Sequence, residues 1–294
     1  MRWPADYRQA WTLASSVERS GVGLHDGQLS RVKLQPARHE GYWVGWLSDG
    51  DQKLKRLSPD QVCETSLCTA LDLGGKRLAT VEHLLAALAG TGVTHAEILV
   101  DGEEIPLLDG SALPWVEAIA EAGLSPIGER RLPPLSVPCL TVRKGESFAV
   151  AMPCDKPILA AAIEFPQPAI GRQLFSIELT PADFVEQIAP ARTFGFKDQV
   201  DQLLARGLIR GGALDNALVC DGERWLNPPL RFPDEPVRHK LLDLLGDLAL
   251  AGLPRAQVFA YRGSHGLHTE LSQVLAEASS AADTPSVPLP LPLA

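Results

Sequence analysis

Pro126, Pro133, Pro134 and Pro138 crowd one short stretch together with Glu129, Arg130 and Arg131, and no regular helix or central strand runs through such a sequence. The break falls near the middle of the chain, so residues 124–138 are predicted to link two separately packed halves. On each side the same order recurs. Before the break, β-like runs at 32–34 and 98–100 accompany helical patterns at 81–89 and 113–122. After it, β-like runs at 140–142, 148–152 and 160–165 accompany helical patterns at 181–188, 197–206 and 234–251. Small sheets covered by helices give an α+β chain with domains over 1–128 and 129–278. The tail, 279–294, is rich in Ser, Ala and Pro and is expected to be disordered.

Length and charge narrow the function. With 294 residues and 45% hydrophobic content there is material for two cores. No apolar run is long enough for a membrane span, and Arg2, Asp6, Arg8, Glu18 and Arg19 leave no signal-peptide pattern at the start. A net charge of −9 opposes binding to a phosphate backbone, which argues against an RNA-binding module. A small-molecule kinase would need a Gly-rich phosphate loop ahead of a helix, whereas Thr80-Val81-Glu82 offers an acidic helix start. The five cysteines (Cys63, Cys68, Cys139, Cys154, Cys220) form no Cys-x-x-Cys pair and are expected to be reduced core thiols of a cytoplasmic protein.

Chemistry is concentrated in the histidines. A helix over 234–252 is expected to start on Asp234 as its cap and to stop at Gly252, with Val237, Leu241, Leu244, Leu245 and Leu248 as its core stripe. Its second stripe holds His239, Asp243, Gly246 and Leu250. His239 and Asp243, four residues apart, project from one face and could share a metal ion, and Gly246 there would admit a closely packed neighbour. A merely structural polar pair would show the same spacing, so a third ligand is needed. His83 supplies a candidate: with Thr80 as N-cap it lies in the first helical turn, where the helix dipole keeps an imidazole neutral. Glu82 beside it could reach a metal-bound water, or could simply offset the dipole. The echo between residues 81–85 and 237–241 suggests that each half brings one histidine to a shared interface. Small residues around Ser264-His265 would keep His265 accessible, with His268 one turn later as its rival.

These pieces resemble the bacterial zinc-dependent UDP-3-O-acyl-N-acetylglucosamine deacetylases of lipid A synthesis. The resemblance runs through Ser20-Gly21-Val22-Gly23-Leu24-His25, Thr80-Val81-Glu82-His83-Leu84, and Pro106-Leu107-Leu108-Asp109-Gly110-Ser111-Ala112. It continues through Ala191-Arg192-Thr193-Phe194-Gly195-Phe196, Arg206-Gly207-Leu208, Val237-Arg238-His239-Lys240-Leu241-Leu242-Asp243 with Gly246-Asp247-Leu248, and the Ser264-His265 loop. It implies two similar two-layer α/β sandwich domains, of a kind found in ribosomal proteins, with the active site at their interface. It further implies that His83, His239 and Asp243 hold one Zn2+, with Fe2+ as the rival ion, and leave a position for water. Glu82 would then be the general base, and the Thr193 hydroxyl would hold the oxyanion. His265 would act as electrostatic stabiliser or general acid, oriented by Asp247. Lys240 and Phe194, with Thr193, would bind the substrate, and residues 160–180 would form the acyl passage. The implied protein is a monomer acting on UDP-3-O-acyl-N-acetylglucosamine in the cytoplasm. A zinc amidohydrolase for another acetylated amino sugar would use the same ligands.

Overall fold

The computed structural model describes residues 2–48, 53–129 and 139–282. Two sheets carry the fold. The first has seven strands built on Val93–Val100, a strand buried at every position but Glu97. It pairs in parallel with Gln9–Leu13 and Gly41–Trp46 and antiparallel with Leu29–Pro36, and Val17–Val22 and Leu124–Glu129 form the two ends of the main strand order. The second has five strands in the order Leu140–Lys144, Ser147–Pro153, Ala256–Tyr261, Ile158–Glu164, Arg172–Glu178. Both sheets contain parallel and antiparallel pairs and both are covered by helices, in keeping with the expected α+β class.

Six helices occur among the described residues: α1 (Glu82–Gly90), α2 (Leu113–Ala122), α3 (Pro181–Gln187), α4 (Lys197–Ala205), α5 (Glu235–Leu248) and α6 (His265–Ala282). α1 is apolar on all sides after His83, and all nine of its residues are buried. It can be, because α5 packs along it from the second half while Val93–Val100 and α2 cover it from the first. α5 in turn lays Val237, Leu241, Leu244, Leu245 and Leu248, all fully buried, into a core shared with α6 and the second sheet. The helices that carry the predicted ligands therefore meet between the two sheets. None of the helices among the described residues is long and apolar enough to cross a membrane.

Several expectations change. Residues 124–129 are a strand rather than linker, paired with Gln9–Leu13, and 130–138 lie outside the described residues. Pro126 is tolerated because the strand lies at a sheet edge and the register slips beside it, between Ala10 and Trp11, where a missing N–H breaks no interior ladder. The helix backbone of α6 runs through 279–282, so the first part of the expected tail is ordered, and 283–294 lie outside the described residues. Thr80 does not cap α1. It has a left-handed backbone (φ 58°), Val81 is the capping residue, and the Thr80 hydroxyl instead donates to Glu104 at 2.7 Å. Asp234 stands at the N-cap of α5 as expected, but its side chain makes no capping bond, because Oδ1 takes the Arg238 Nε at 2.6 Å, and α5 stops at Leu248, short of Gly252. Of the cysteines only Cys68 and Cys220 are buried, while Cys63 and Cys139 are exposed. Burial pushes the Cys68 thiol up to about 12, which makes it inert.

Candidate active site

Gly246 explains how the two helices meet. A Cβ built on it would stand 2.1 Å from the Glu82 carbonyl oxygen, so only a glycine lets α5 touch the first turn of α1. That contact sets His83 against the stripe of α5 one turn earlier. His83 Nε2 lies 3.6 Å and His239 Nε2 3.3 Å from the same oxygen, Asp243 Oδ1, and the three potential ligand atoms all fall within 4.8 Å of one another. The two rings stand edge to face with centroids 5.0 Å apart. All three side chains are buried, and Asp243 Oδ1 has no hydrogen-bond partner among the described residues.

The surroundings fix the protonation of this cluster. His239 Nδ1 lies 3.1 Å from the Ala191 carbonyl, which can only accept, so Nδ1 carries the hydrogen and Nε2 presents a lone pair to the cluster. Burial pushes the His239 imidazole down to about 3, leaving it neutral. Burial alone would raise the Asp243 carboxyl, but the Lys240 ammonium, 2.9 Å from Oδ2, outweighs it and holds the carboxyl well below the usual range. The Ala191 carbonyl is itself anchored, because the next residue, Arg192, donates both its backbone N–H and its Nε to the fully buried Glu235 at the start of α5.

A second constellation lies beside the first. Glu82, 3% exposed, accepts the Thr69 N–H on Oε2 at 3.0 Å, and its Oε1 is 3.9 Å from His265 Nε2. His265 Nδ1 reaches Asp247 Oδ2 at 3.0 Å, while Asp247 Oδ1 accepts the Thr69 hydroxyl at 2.5 Å. Burial raises the Glu82 carboxyl above its ordinary value. For His265 burial works downward, but Asp247 and Glu82 outweigh it and raise the imidazole to about 9. Burial would raise Asp247, and His265 pulls it below its ordinary value. Thr69, which ties Glu82 to Asp247, was missed by sequence reasoning: Cys68-Thr69-Ala70 carries no spacing or composition signal.

The raised His265 has a consequence for stability. A histidine whose folded pKa exceeds its unfolded value stabilises fully below about 6.5 and loses that contribution as pH climbs through the folded value near 9. The melting temperature of the metal-free protein is therefore expected to fall between pH 6.5 and 9.5 more steeply than that of Asp247→Asn, which lacks the buried anion. Parallel melting curves for the two proteins across that range would refute the pairing.

The substrate-binding candidates line one cavity. It has a volume of about 580 Å³ and is bounded by Thr193, Phe194, Phe196, Lys240, Leu24 and the inner side of α4, among others. Phe194 joins it to the cluster: its ring lies 6.3 Å from that of His239, and the Lys240 Nζ sits 5.8 Å from its centroid. Thr193 is held at the wall by its N–H on the Gly110 carbonyl at 2.7 Å, two residues from Ala191. Leu67, Leu204, Leu214 and Leu226, four of the chain's exposed large apolar side chains, all line this cavity. Residues 160–180 are mostly elsewhere. Of Ile163, Phe165, Ile170, Leu174, Phe175 and Ile177, only Phe165 reaches the cavity, because the rest belong to the hairpin of Ile158–Glu164 and Arg172–Glu178 and its core. Most of the apolar wall comes from residues 193–226, with Leu24, Leu67 and Phe165 completing it.

Residues 10–277 match the family described as UDP-3-O-acyl N-acetylglycosamine deacetylase. The UDP-3-O-acyl-N-acetylglucosamine deacetylase of Thermosynechococcus vestitus is 48% identical over 268 residues, covering 90% of this chain and 93% of that protein. The protein of the same name from Synechocystis sp. is 44% identical, covering 90% and 98%. The probable UDP-3-O-acyl-N-acetylglucosamine deacetylase 1, mitochondrial, of Arabidopsis thaliana is 40% identical, covering 90% and 87%.

Proposed function

Because the chain belongs to the UDP-3-O-acyl-N-acetylglucosamine deacetylase family, we propose that it hydrolyses the acetamide of UDP-3-O-acyl-N-acetylglucosamine, in the committed step of lipid A synthesis, with Zn2+ held by His83, His239 and Asp243. The observation that carries this reading is the unpartnered, buried Asp243 Oδ1 facing the Nε2 atoms of both histidines. A buried anionic oxygen left without a donor is costly, and a divalent cation satisfies it. Two imidazoles and one carboxylate form the donor set of a catalytic zinc site, which Fe2+ also accepts. When bound, the ion acidifies a water and polarises the acetamide carbonyl.

The chain's own groups supply the rest. Glu82, its carboxyl raised by burial, takes the proton of the attacking water, a role for which a base titrating closer to neutrality is suited. His265, kept protonated by Asp247 and Glu82, faces the developing negative charge and delivers its Nε2 proton to the departing amine. The Thr193 hydroxyl adds a donor for the oxyanion from the cavity wall. Lys240 offers the local cation an acidic protein needs for a nucleotide sugar, and Phe194 with the apolar cavity receives the acyl chain. All of these groups lie on one chain, so the proposed reaction needs no residue from a second copy.

Stripping divalent cations with a chelator is expected to reduce deacetylation of UDP-3-O-acyl-N-acetylglucosamine to background, with recovery on adding one equivalent of Zn2+ or Fe2+. Full activity in protein containing far less than one metal ion per chain would sink the reading.

A further inference from the structure

His268 takes no part in the steps above, yet it is a buried titratable group, 1% exposed, in the first turn of α6. It follows His265 by three residues, so both rings leave one face of the helix. Its Nδ1 lies 3.0 Å from Asp247 Oδ2, the same oxygen that His265 Nδ1 reaches at 3.0 Å. The other oxygen, Oδ1, accepts the Thr69 hydroxyl, so one carboxylate receives three donors. A carboxylate only accepts, which puts the hydrogen of His268 on Nδ1. The far nitrogen, Nε2, is buried with no partner and presses on Gly263, where a Cβ would fall 2.3 Å away. A hydrogen placed on Nε2 instead would be buried without an acceptor among the described residues, so the ring is oriented with Nδ1 as its donor.

We propose that His268 is a positioning residue for His265: its Nδ1–H shares Asp247 Oδ2 and limits the negative charge that this oxygen presents to His265, so that the His265 proton can leave. The proposal rests on the reading of His265 as the acid of the reaction. His265 is faced by Glu82 from α1, by Asp243 and Asp247 from α5, and by His268 from its own helix. Lys240 on α5 is engaged with Asp243, and Lys144 at the rim reaches the Gly266 carbonyl and Glu270. Among these, His268 shares with His265 the same oxygen of Asp247, and removing it takes one donor from that carboxylate. An Asp247 freed of that donor is a stronger anion toward His265, which then holds its proton more tightly and is a weaker acid.

The test uses zinc-loaded enzyme with 15N-labelled histidine, followed by NMR titration and by the pH dependence of kcat and KM. In His268→Leu the His265 pKa and the alkaline limb of kcat are expected to rise together by about one pH unit, the tenfold change that loss of one charge-assisted hydrogen bond produces. At neutral pH kcat falls about threefold to tenfold through the weaker acid, with KM unchanged. His268→Asn, whose amide still donates, is expected to restore both values. A His265 pKa that stays put in His268→Leu, or a loss of stability and kcat in both variants with the alkaline limb unmoved, overturns the proposal and leaves His268 as packing. If His268→Leu does not fold, the wild-type spectrum decides: a His268 Nδ1–H hydrogen-bonded to Asp247 is required, and a ring that carries its hydrogen on Nε2 with Nδ1 bare overturns the proposal. His265→Ala separates the two layers. An alkaline limb that persists in that variant refutes His265 as the acid, whereas the NMR shift still reports whether His268 tunes it.

Discussion

Glu82→Ala is expected to keep its bound metal and lose deacetylation by about 10²-fold to 10⁴-fold, the range contributed by a general base. The carboxylate of Glu82 bonds Thr69 and approaches His265, and it forms no bond to His83, His239 or Asp243, so its removal leaves the ligand set intact. His239→Ala is expected to be as inactive for a different reason. It deletes one of three ligand atoms and leaves the Ala191 carbonyl without its donor, so metal content falls as well. Metal analysis beside the assay distinguishes the two, and equal metal content in both variants would remove His239 from the ligand set. Glu82→Ala also strands the buried Thr69 N–H, at a cost of about 1–3 kcal/mol. Glu82→Gln is the control for that loss: its amide oxygen still accepts from Thr69 while being unable to take a proton, so it should melt near the wild type and remain inactive.

The parts of this site that the sequence reveals are those governed by periodicity. A helical repeat places His239, Asp243 and Gly246 on one stripe whatever the tertiary context, and the structure buries that stripe against α1. The parts that stay hidden depend on contacts between distant segments. Thr69 meets Asp247 across 178 positions, and nothing local marks a threonine between Cys68 and Ala70 as the link between two acids. Thr80 has a capping residue's identity, yet its hydroxyl is taken by the buried Glu104, and the helix begins without it. Pro126 reads as a break because proline forbids a central strand, and only the sheet order shows it at an edge. Apolar content alone does not separate a cavity wall from a core: most apolar side chains of 160–180 pack in their hairpin and its core, whereas α4, a helix with no buried residue, turns Val200, Leu203 and Leu204 to open space.

Gly246→Ala tests whether the approach of the two helices is what assembles the site. In an ordinary helix interior this substitution is favourable by up to about 1 kcal/mol, since alanine has the higher helix propensity. Here the new Cβ would stand 2.1 Å from the Glu82 oxygen, 2.7 Å from its carbonyl carbon and 2.9 Å from its Cα. All three are backbone atoms in the first turn of a helix buried on every side, so no side chain can swing away and α1 or α5 must move. Overpacking of this kind costs about 1–3 kcal/mol or more, which exceeds the propensity gain, and the protein is expected to melt lower. The larger effect is on the metal. A shift that relieves the clash separates His83 on α1 from His239 and Asp243 on α5, and ligand distances tolerate only about 0.2 Å. Zinc affinity is therefore expected to fall at least about tenfold, with activity following it, as a lost supporting contact does at other metal sites. Gly128→Ala, where a Cβ meets nothing within 4 Å, is the control and should leave both unchanged. Wild-type melting and metal affinity in Gly246→Ala would show that the ligands are brought together by some other contact.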